Sequence, residues 1–194
     1  HLFKTLNKSI GLIDIPICVG GGVKTVDHIK QLLLAGADRV IINSEGLKNI
    51  EFLKNVRNIF GSQFISISIE TKKIDGKYVC MMNHGRDVSN FELVEWINEL
   101  SKLQVGEIII NSIDHDGTNV GFDGDLINMI KTNIDIPLIY SGGLNNQENI
   151  LELLKKELFS GISIGTALHF NDLSIIKIKN FLNEKKMNIN LFDE

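Results

Sequence analysis

Ile13-Asp-Ile-Pro-Ile-Cys-Val-Gly-Gly-Gly22 and Ile134-Asp-Ile-Pro-Leu-Ile-Tyr-Ser-Gly-Gly143 are two versions of one phrase. Each sets Ile-Asp-Ile-Pro before a short aliphatic run and closes that run with paired glycines. Gly142-Gly143 lies 121 residues after Gly21-Gly22, and the two tetrapeptides have the same offset. A short β-branched run bounded by proline and glycine reads as a strand leading into a tight turn. At roughly 30 residues per strand-helix unit, the offset corresponds to about four units. Two such halves describe an eight-stranded ring of about 240 residues, a usual size for a (βα)8 TIM-type barrel. Coincidental reuse of common turn fragments is the competing explanation, and the rest of the chain decides against it.

Working outward, strands are predicted over Ile15–Val19, Arg39–Asn43, Phe64–Ile69, Glu107–Asn111, Ile136–Tyr140 and Gly161–Ile164. Helical patterns separate them, the alternation expected of a parallel sheet. Thr25 is placed to cap a helix whose Ile29, Leu32, Leu33 and Leu34 fall near one face, with Gly36 closing it. Further helices are predicted around Ile50–Phe60, Phe91–Leu103, Leu126, Gln147–Glu157 and Leu173–Lys185, with Trp96 in the core. Asp75-Gly76 is a hairpin signal between Lys73-Ile74 and Tyr78-Val79, inside a long excursion from Lys72 to Ser89. These are six strand-helix units in 194 residues. The expectation is one domain over 1–194, an N-terminally truncated barrel lacking its first strand-helix-strand and opening inside the second helix. The absence of an initial methionine agrees with that. An open doubly wound sheet would concentrate glycine in one turn after its first strand. Here glycine or small polar turns follow at least four strands.

A net charge of -4 argues against a general nucleic-acid binder. No apolar run approaches the roughly 20 residues of a membrane span. Cys18 and Cys80 have no metal-type spacing and read as reduced thiols of a cytoplasmic protein. Barrel chemistry sits at the carboxyl ends of the strands. Glycines there let backbone N–H groups approach an anion. Gly20, Gly21 and Gly22 with Asn43 and Ser44 form one candidate phosphate cradle. Ser141, Gly142 and Gly143 with Gly165 and Thr166 form a second, opposite one. Paired cradles imply a small-molecule substrate with a phosphate at each end; the plainer alternative is that these glycines only make tight turns. Glu70, Asp114 and Asp116 are the strand-end acid–base candidates. The loop after Asn111 also holds His115, and Asn111, Gly117 and Thr118 are candidates for binding the substrate or its phosphate. One histidine and two aspartates without a distant partner do not make a metal site, and neither metal nor cofactor is assigned. His84 reads either as a substrate contact or as an ordinary loop residue, and Arg86 as a phosphate contact if the long excursion folds over the barrel mouth. His169 reads as structural.

Eight motifs carry a resemblance. They are Gly20-Gly-Gly-Val-Lys-Thr25, Ala35-Gly-Ala-Asp-Arg-Val40, Ile42-Asn-Ser44, Phe60-Gly-Ser-Gln63, Gly106-Glu-Ile108, Ser112-Ile-Asp-His-Asp-Gly-Thr118, Ser141-Gly-Gly143 and His169-Phe170. Together, from about residue 10 to 185, the chain resembles the cyclase subunit of imidazole glycerol phosphate synthase and its paralogues in surface-sugar amidation. The resemblance implies a lyase coupled to a glutaminase partner that supplies ammonia. The ammonia joins a bisphosphorylated ribulosyl precursor, giving imidazole glycerol phosphate and aminoimidazole carboxamide ribonucleotide. Glu70 stands where the family has one of two catalytic aspartates, and the other belongs to a strand this sequence does not include. Asp116 matches an acidic residue of the substrate loop. Gly22, Asn43 and Ser44 match one phosphate site; Gly117, Gly143 and Thr166 match parts of the other. Arg39 and Glu107 resemble members of the charged gate that admits ammonia at the opposite mouth.

The sequence departs from the family at three places. Glutamate at 70 moves a carboxylate by about one methylene, and a shift on the order of 1 Å can cost around a hundredfold in rate. His84 replaces a small hydroxyl residue, and Asn111 replaces a threonine. Glu70 and His84 favour the alternative, a paralogous barrel working with a sugar amidotransferase.

Overall fold

The computed structural model describes Leu6, Lys8 and residues 12–130, 134–170 and 173–189. Among them, eight strands make one sheet: β1 (Cys18–Gly20), β2 (Arg39–Ile42), β3 (Ile65–Ile74), β4 (Lys77–Met82), β5 (Asp87–Glu92), β6 (Glu107–Ser112), β7 (Leu138–Ser141) and β8 (Gly161–Ser163). The row β1-β2-β3-β6-β7-β8 is parallel throughout and follows chain order. β4 pairs antiparallel with β3, and β5 with β4. The helices are α1 (Val26–Leu34), α2 (Ser44–Lys48), α3 (Ile50–Phe60), α4 (Leu93–Leu103), α5 (Gly124–Met129), α6 (Gln147–Leu154), α7 (Thr166–His169) and α8 (Ile175–Glu184). The architecture is α/β, a parallel sheet curled as in a TIM-type barrel. The expected opening inside a second helix concerns residues that lie outside the described ones, Leu6 and Lys8 apart.

Burial alternates along the strands because successive side chains point to opposite faces. Val40, Ile42, Ile65, Ile67, Ile69, Ile108, Ile110, Leu138 and Tyr140 are buried and share one core with Ile29, Leu32, Leu53, Val56, Trp96 and Leu100 of the helices. Arg39, Ile41, Ser68, Glu70, Glu107, Ile109, Asn111, Ile139 and Ser141 occupy the alternate positions and are only half-buried. The helix-facing side therefore supplies the hydrophobic stability, at roughly 25 cal/mol per Å² of apolar surface buried. The other side is left free to carry polar groups.

Several local expectations hold. Thr25 caps α1 through a 3.2 Å bond from His28 N–H. Asp75-Gly76 makes the turn between β3 and β4, whose register runs from Ile74↔Lys77 to Glu70↔Met81. Trp96 is completely buried, its ring 4.8 Å from Phe91. Others need correction. Leu34 is 77% exposed; at 100° per residue it lies about 140° around α1 from Ile29. β3 does not stop at Ile69 but runs to Ile74, paired with β6 as far as Thr71 and with β4 from Glu70 to Ile74. The helix expected from Phe91 begins at Leu93, since Phe91 belongs to β5.

Candidate active site

The first glycine cradle is real space. A cavity of about 510 Å³ opens at the carboxyl ends of β1, β2 and β3, lined by Gly20, Gly21, Gly22, Asn43, Ser44, Ser68, Glu70 and His84, with Lys24 and Lys48 also contributing. Gly21 and Gly22 have φ of +104° and +67°, and a Cβ built on either meets nothing within 4 Å. Their left-handed backbone, rather than crowding, is what favours glycine. The Asn43 side-chain oxygen is buried here and has no hydrogen-bond partner among the described residues.

The β4–β5 connection folds over this cavity. Asn83 N–H donates to Ser44 Oγ at 2.9 Å, and Gly85 N–H donates to Glu70 Oε2 at 3.1 Å. Three successive left-handed residues, Asn83, His84 and Gly85, aim those N–H groups inward. Accepting from Asn83 leaves the Ser44 hydroxyl its own proton to donate to a ligand. His84 reaches the cavity wall; Arg86 does not line it.

The second cradle is much narrower, about 20 Å³, between the tips of β6, β7 and β8. Asp116, Gly117, Ser141, Gly142, Gly143, Gly165 and Thr166 line it. Thr118 does not: its hydroxyl turns back to donate to the His115 carbonyl at 2.6 Å. Gly143 is crowded as well as left-handed. With φ +79°, its Cβ would stand 2.2 Å from the Gly121 carbonyl oxygen. In the strand register Glu70 neighbours Asn111, and Asn111 neighbours Ser141. A polar row thus runs from one cavity to the other. Asn111 Nδ2 donates to Asp116 at 3.3 Å, and its buried Oδ1 has no partner among the described residues.

Two expected acid–base candidates separate. Asp114 accepts from Lys73 N–H at 2.8 Å and so pins the loop to β3, while Asp116 faces the cleft. His115 Nδ1 lies 2.8 Å from the Gly121 carbonyl oxygen. His169 is exposed, edge-on to Phe170 at 4.9 Å.

Asp123 was missed by sequence reasoning, its only signal being an aspartate before the apolar turn of α5. It is 5% exposed and accepts from Tyr78 Oη at 2.7 Å, Ser112 Oγ at 2.9 Å and Leu126 N–H at 3.1 Å. Burial pushes its carboxyl up, but those three donors and nearby His115 outweigh burial and hold it below the ordinary aspartate value. Burial and the same carboxylate raise Tyr78 well above a normal phenol. Burial likewise pushes Tyr140 up to about 12.

Comparison with known proteins places these features in a lineage. A family described as histidine biosynthesis protein matches residues 2–174. The imidazole glycerol phosphate synthase subunit HisF of Natranaerobius thermophilus is 38% identical over 190 residues, covering 98% of this chain and 76% of that protein. The subunit of the same name from Hydrogenobaculum is 37% identical over 180 residues, covering 92% and 71%. That from Chlorobaculum tepidum is 33% identical over 184, covering 95% and 73%. The chain belongs to the histidine biosynthesis protein family. This is a family of biosynthetic enzymes, and the similarity to its HisF members runs through both glycine cradles.

At the opposite ends of the strands, Arg39 of β2 and Glu107 of β6 meet across β3. Arg39 Nη1 donates to Glu107 Oε2 at 2.7 Å, and Ser66 Oγ donates to Glu107 Oε1 at 2.8 Å. Cys18 is near both; it is exposed, yet partial desolvation and the Glu107 charge raise its thiol despite the opposing pull of Arg39. Among the described residues, no helix is long and apolar enough to cross a membrane.

Proposed function

We propose that this chain is the cyclase component of an imidazole glycerol phosphate synthase, acting on a bisphosphorylated ribulosyl precursor with ammonia delivered by a glutaminase partner. The observation that carries the reading is the pair of glycine-lined cavities joined by the polar row Glu70–Asn111–Ser141. One phosphate sits against Gly21, Gly22, Asn43 and Ser44. The other sits against Gly117, Gly142, Gly143, Gly165 and Thr166, where backbone N–H groups meet it without side chains in the way. The substrate's reacting middle then lies beside Glu70 and Asp116. Glu70 transfers protons during ring closure, its carboxylate oriented by Gly85 N–H, so that its second oxygen is available to the substrate. Asp116, steadied by Asn111, orients the substrate from the second cavity. Arg39 and Glu107 form part of the gate through which ammonia enters from the far mouth. The relatives named as imidazole glycerol phosphate synthase subunits support this assignment.

Glu70 and His84 favour a second reading, in which the barrel channels ammonia to a sugar amidotransferase for amidation of a bacterial surface sugar. A longer carboxylate and an imidazole both line the first cavity, beside the reacting middle of the substrate. Complementation of a histidine auxotroph lacking its own cyclase separates the two. Growth of the full-length protein's transformants without histidine supports the first; no growth, with the protein folded and expressed, supports the second.

A further inference from the structure

The buried carboxylate of Asp123 lines neither cavity, yet four elements converge on it. Oδ1 accepts from Tyr78 of β4 and from Leu126 N–H of α5, and Oδ2 accepts from Ser112 of β6. Its own N–H donates to Tyr140 Oη of β7 at 2.8 Å. His115 Nε2 stands 3.8 Å from Oδ2. Between Ser112 and Asp123 runs the loop that supplies Asp116 and Gly117 to the second cavity, so this one side chain holds both ends of that loop. The middle is held too: His115 Nδ1 meets the Gly121 carbonyl at 2.8 Å, and Gly121 N–H donates to the Gly143 carbonyl at 3.0 Å.

We propose that Asp123, anchored by Tyr78, is the positioning residue that sets the wall of the second cavity and ties that wall to the hairpin covering the first. The tie is direct. Tyr78 lies on β4, and the tip of the same hairpin holds Ser44 and Glu70 through Asn83 and Gly85. Lys73 of β3 braces the same joint, its N–H on Asp114 and its Nζ on Asp125, though the exposed ion pair adds little. This cleft, about 20 Å³ against about 510 Å³, is much the narrower of the two. A small shift of the loop therefore changes how an anion fits there, while the wider first cavity tolerates it. Asp123 touches no substrate; it acts through Asp116 and Gly117.

The inference rests on the second cavity's being a phosphate site, and the experiment reads the two separately. In the full chain, inorganic phosphate is titrated while amide NMR signals of Gly117 and Gly143 report the second cavity and those of Gly22 and Ser44 the first. Tyr78→Phe leaves one acceptor of a buried carboxylate unfilled, so second-cavity affinity is expected to fall about tenfold, with the first cavity within about twofold. Asp123→Asn keeps one acceptor oxygen for Tyr78 and Leu126 N–H and turns an amide donor toward Ser112 Oγ, so affinity is expected to fall less than in Asp123→Ala. In turnover, Tyr78→Phe raises KM more than it lowers kcat, a split that a general loss of folded protein would not produce. If Asp123→Ala does not fold, Tyr78→Phe decides alone, since it removes one hydroxyl. Wild-type phosphate affinity at Gly117 and Gly143 in folded Tyr78→Phe overturns the proposal. If phosphate never shifts those signals in the wild-type chain, the functional reading of the second cavity falls, and this inference with it.

Discussion

Gly143→Ala and Gly22→Ala look alike in sequence, each altering a glycine at the end of a repeated phrase, but the structure predicts different costs. Both positions are left-handed, at φ +79° and +67°, so alanine costs roughly 1–2 kcal/mol of backbone strain at either. At Gly22 nothing else follows, because the new methyl enters open space. At Gly143 it would stand 2.2 Å from the Gly121 carbonyl oxygen and 3.0 Å from His115 Cβ. Relief requires the loop to move by on the order of 1 Å, which breaks the Gly121 N–H bond to the Gly143 carbonyl and loses about 0.5–1.5 kcal/mol more. Contact strain adds to that, giving about 3 kcal/mol or more for Gly143→Ala against about 1–2 for Gly22→Ala. For a chain of this length each kcal/mol lowers Tm by about 2–4 °C. Differential scanning calorimetry of both variants in parallel is the assay. Phosphate titration should also show the second cavity lost in Gly143→Ala and the first only weakened in Gly22→Ala. Equal Tm values for the two variants would refute the packing argument, since strain alone would then account for both.

Other expectations follow from the site. Arg39→Ala should leave activity with free ammonium within about twofold while glutamine-dependent activity falls by about tenfold or more, in assays with the glutaminase present; equal loss of both would remove Arg39 from the gate. Glu70→Gln keeps the side chain's length and its acceptor for Gly85 N–H but loses proton transfer, so kcat should fall by roughly 10²–10⁴ with KM little changed; a large KM effect with intact kcat would reassign Glu70 to binding. Both thiols are raised, Cys18 by partial desolvation and Glu107, Cys80 by burial to about 12. A raised value means less thiolate at a given pH, so alkylation of Cys18 should be slow near pH 8 and accelerate above it, more slowly still in Arg39→Ala, and Cys80 should stay unmodified until unfolding. Mass spectrometry after iodoacetamide treatment reads both sites.

The parts legible in the sequence are those where local chemistry and fold agree. The Ile-Asp-Ile-Pro repeat, the β-branched runs and the glycine tips required no tertiary information, because strand period and turn stereochemistry are local properties. The hairpin at Asp75-Gly76 was legible for the same reason. Leu34 was misjudged because a run of three leucines looks like a face until the helical angle is counted. Thr118 reads as a substrate-binding candidate because it follows Gly117, yet its hydroxyl finds a nearer carbonyl at His115, a local competition that sequence order does not display. Asp123 was missed for a deeper reason. Its partners Tyr78, Ser112 and Tyr140 come from three strands, and only the sheet's pairing brings them together.

On this reading one elongated bisphosphate bridges both cradles, and 31P NMR of the full-length protein with the bisphosphorylated ribulosyl precursor tests that directly. Both phosphorus resonances should shift and saturate together at one ligand per chain, with Gly22 and Gly143 amides responding in the same titration. A single responsive phosphorus, or saturation at two ligands per chain, would contradict it.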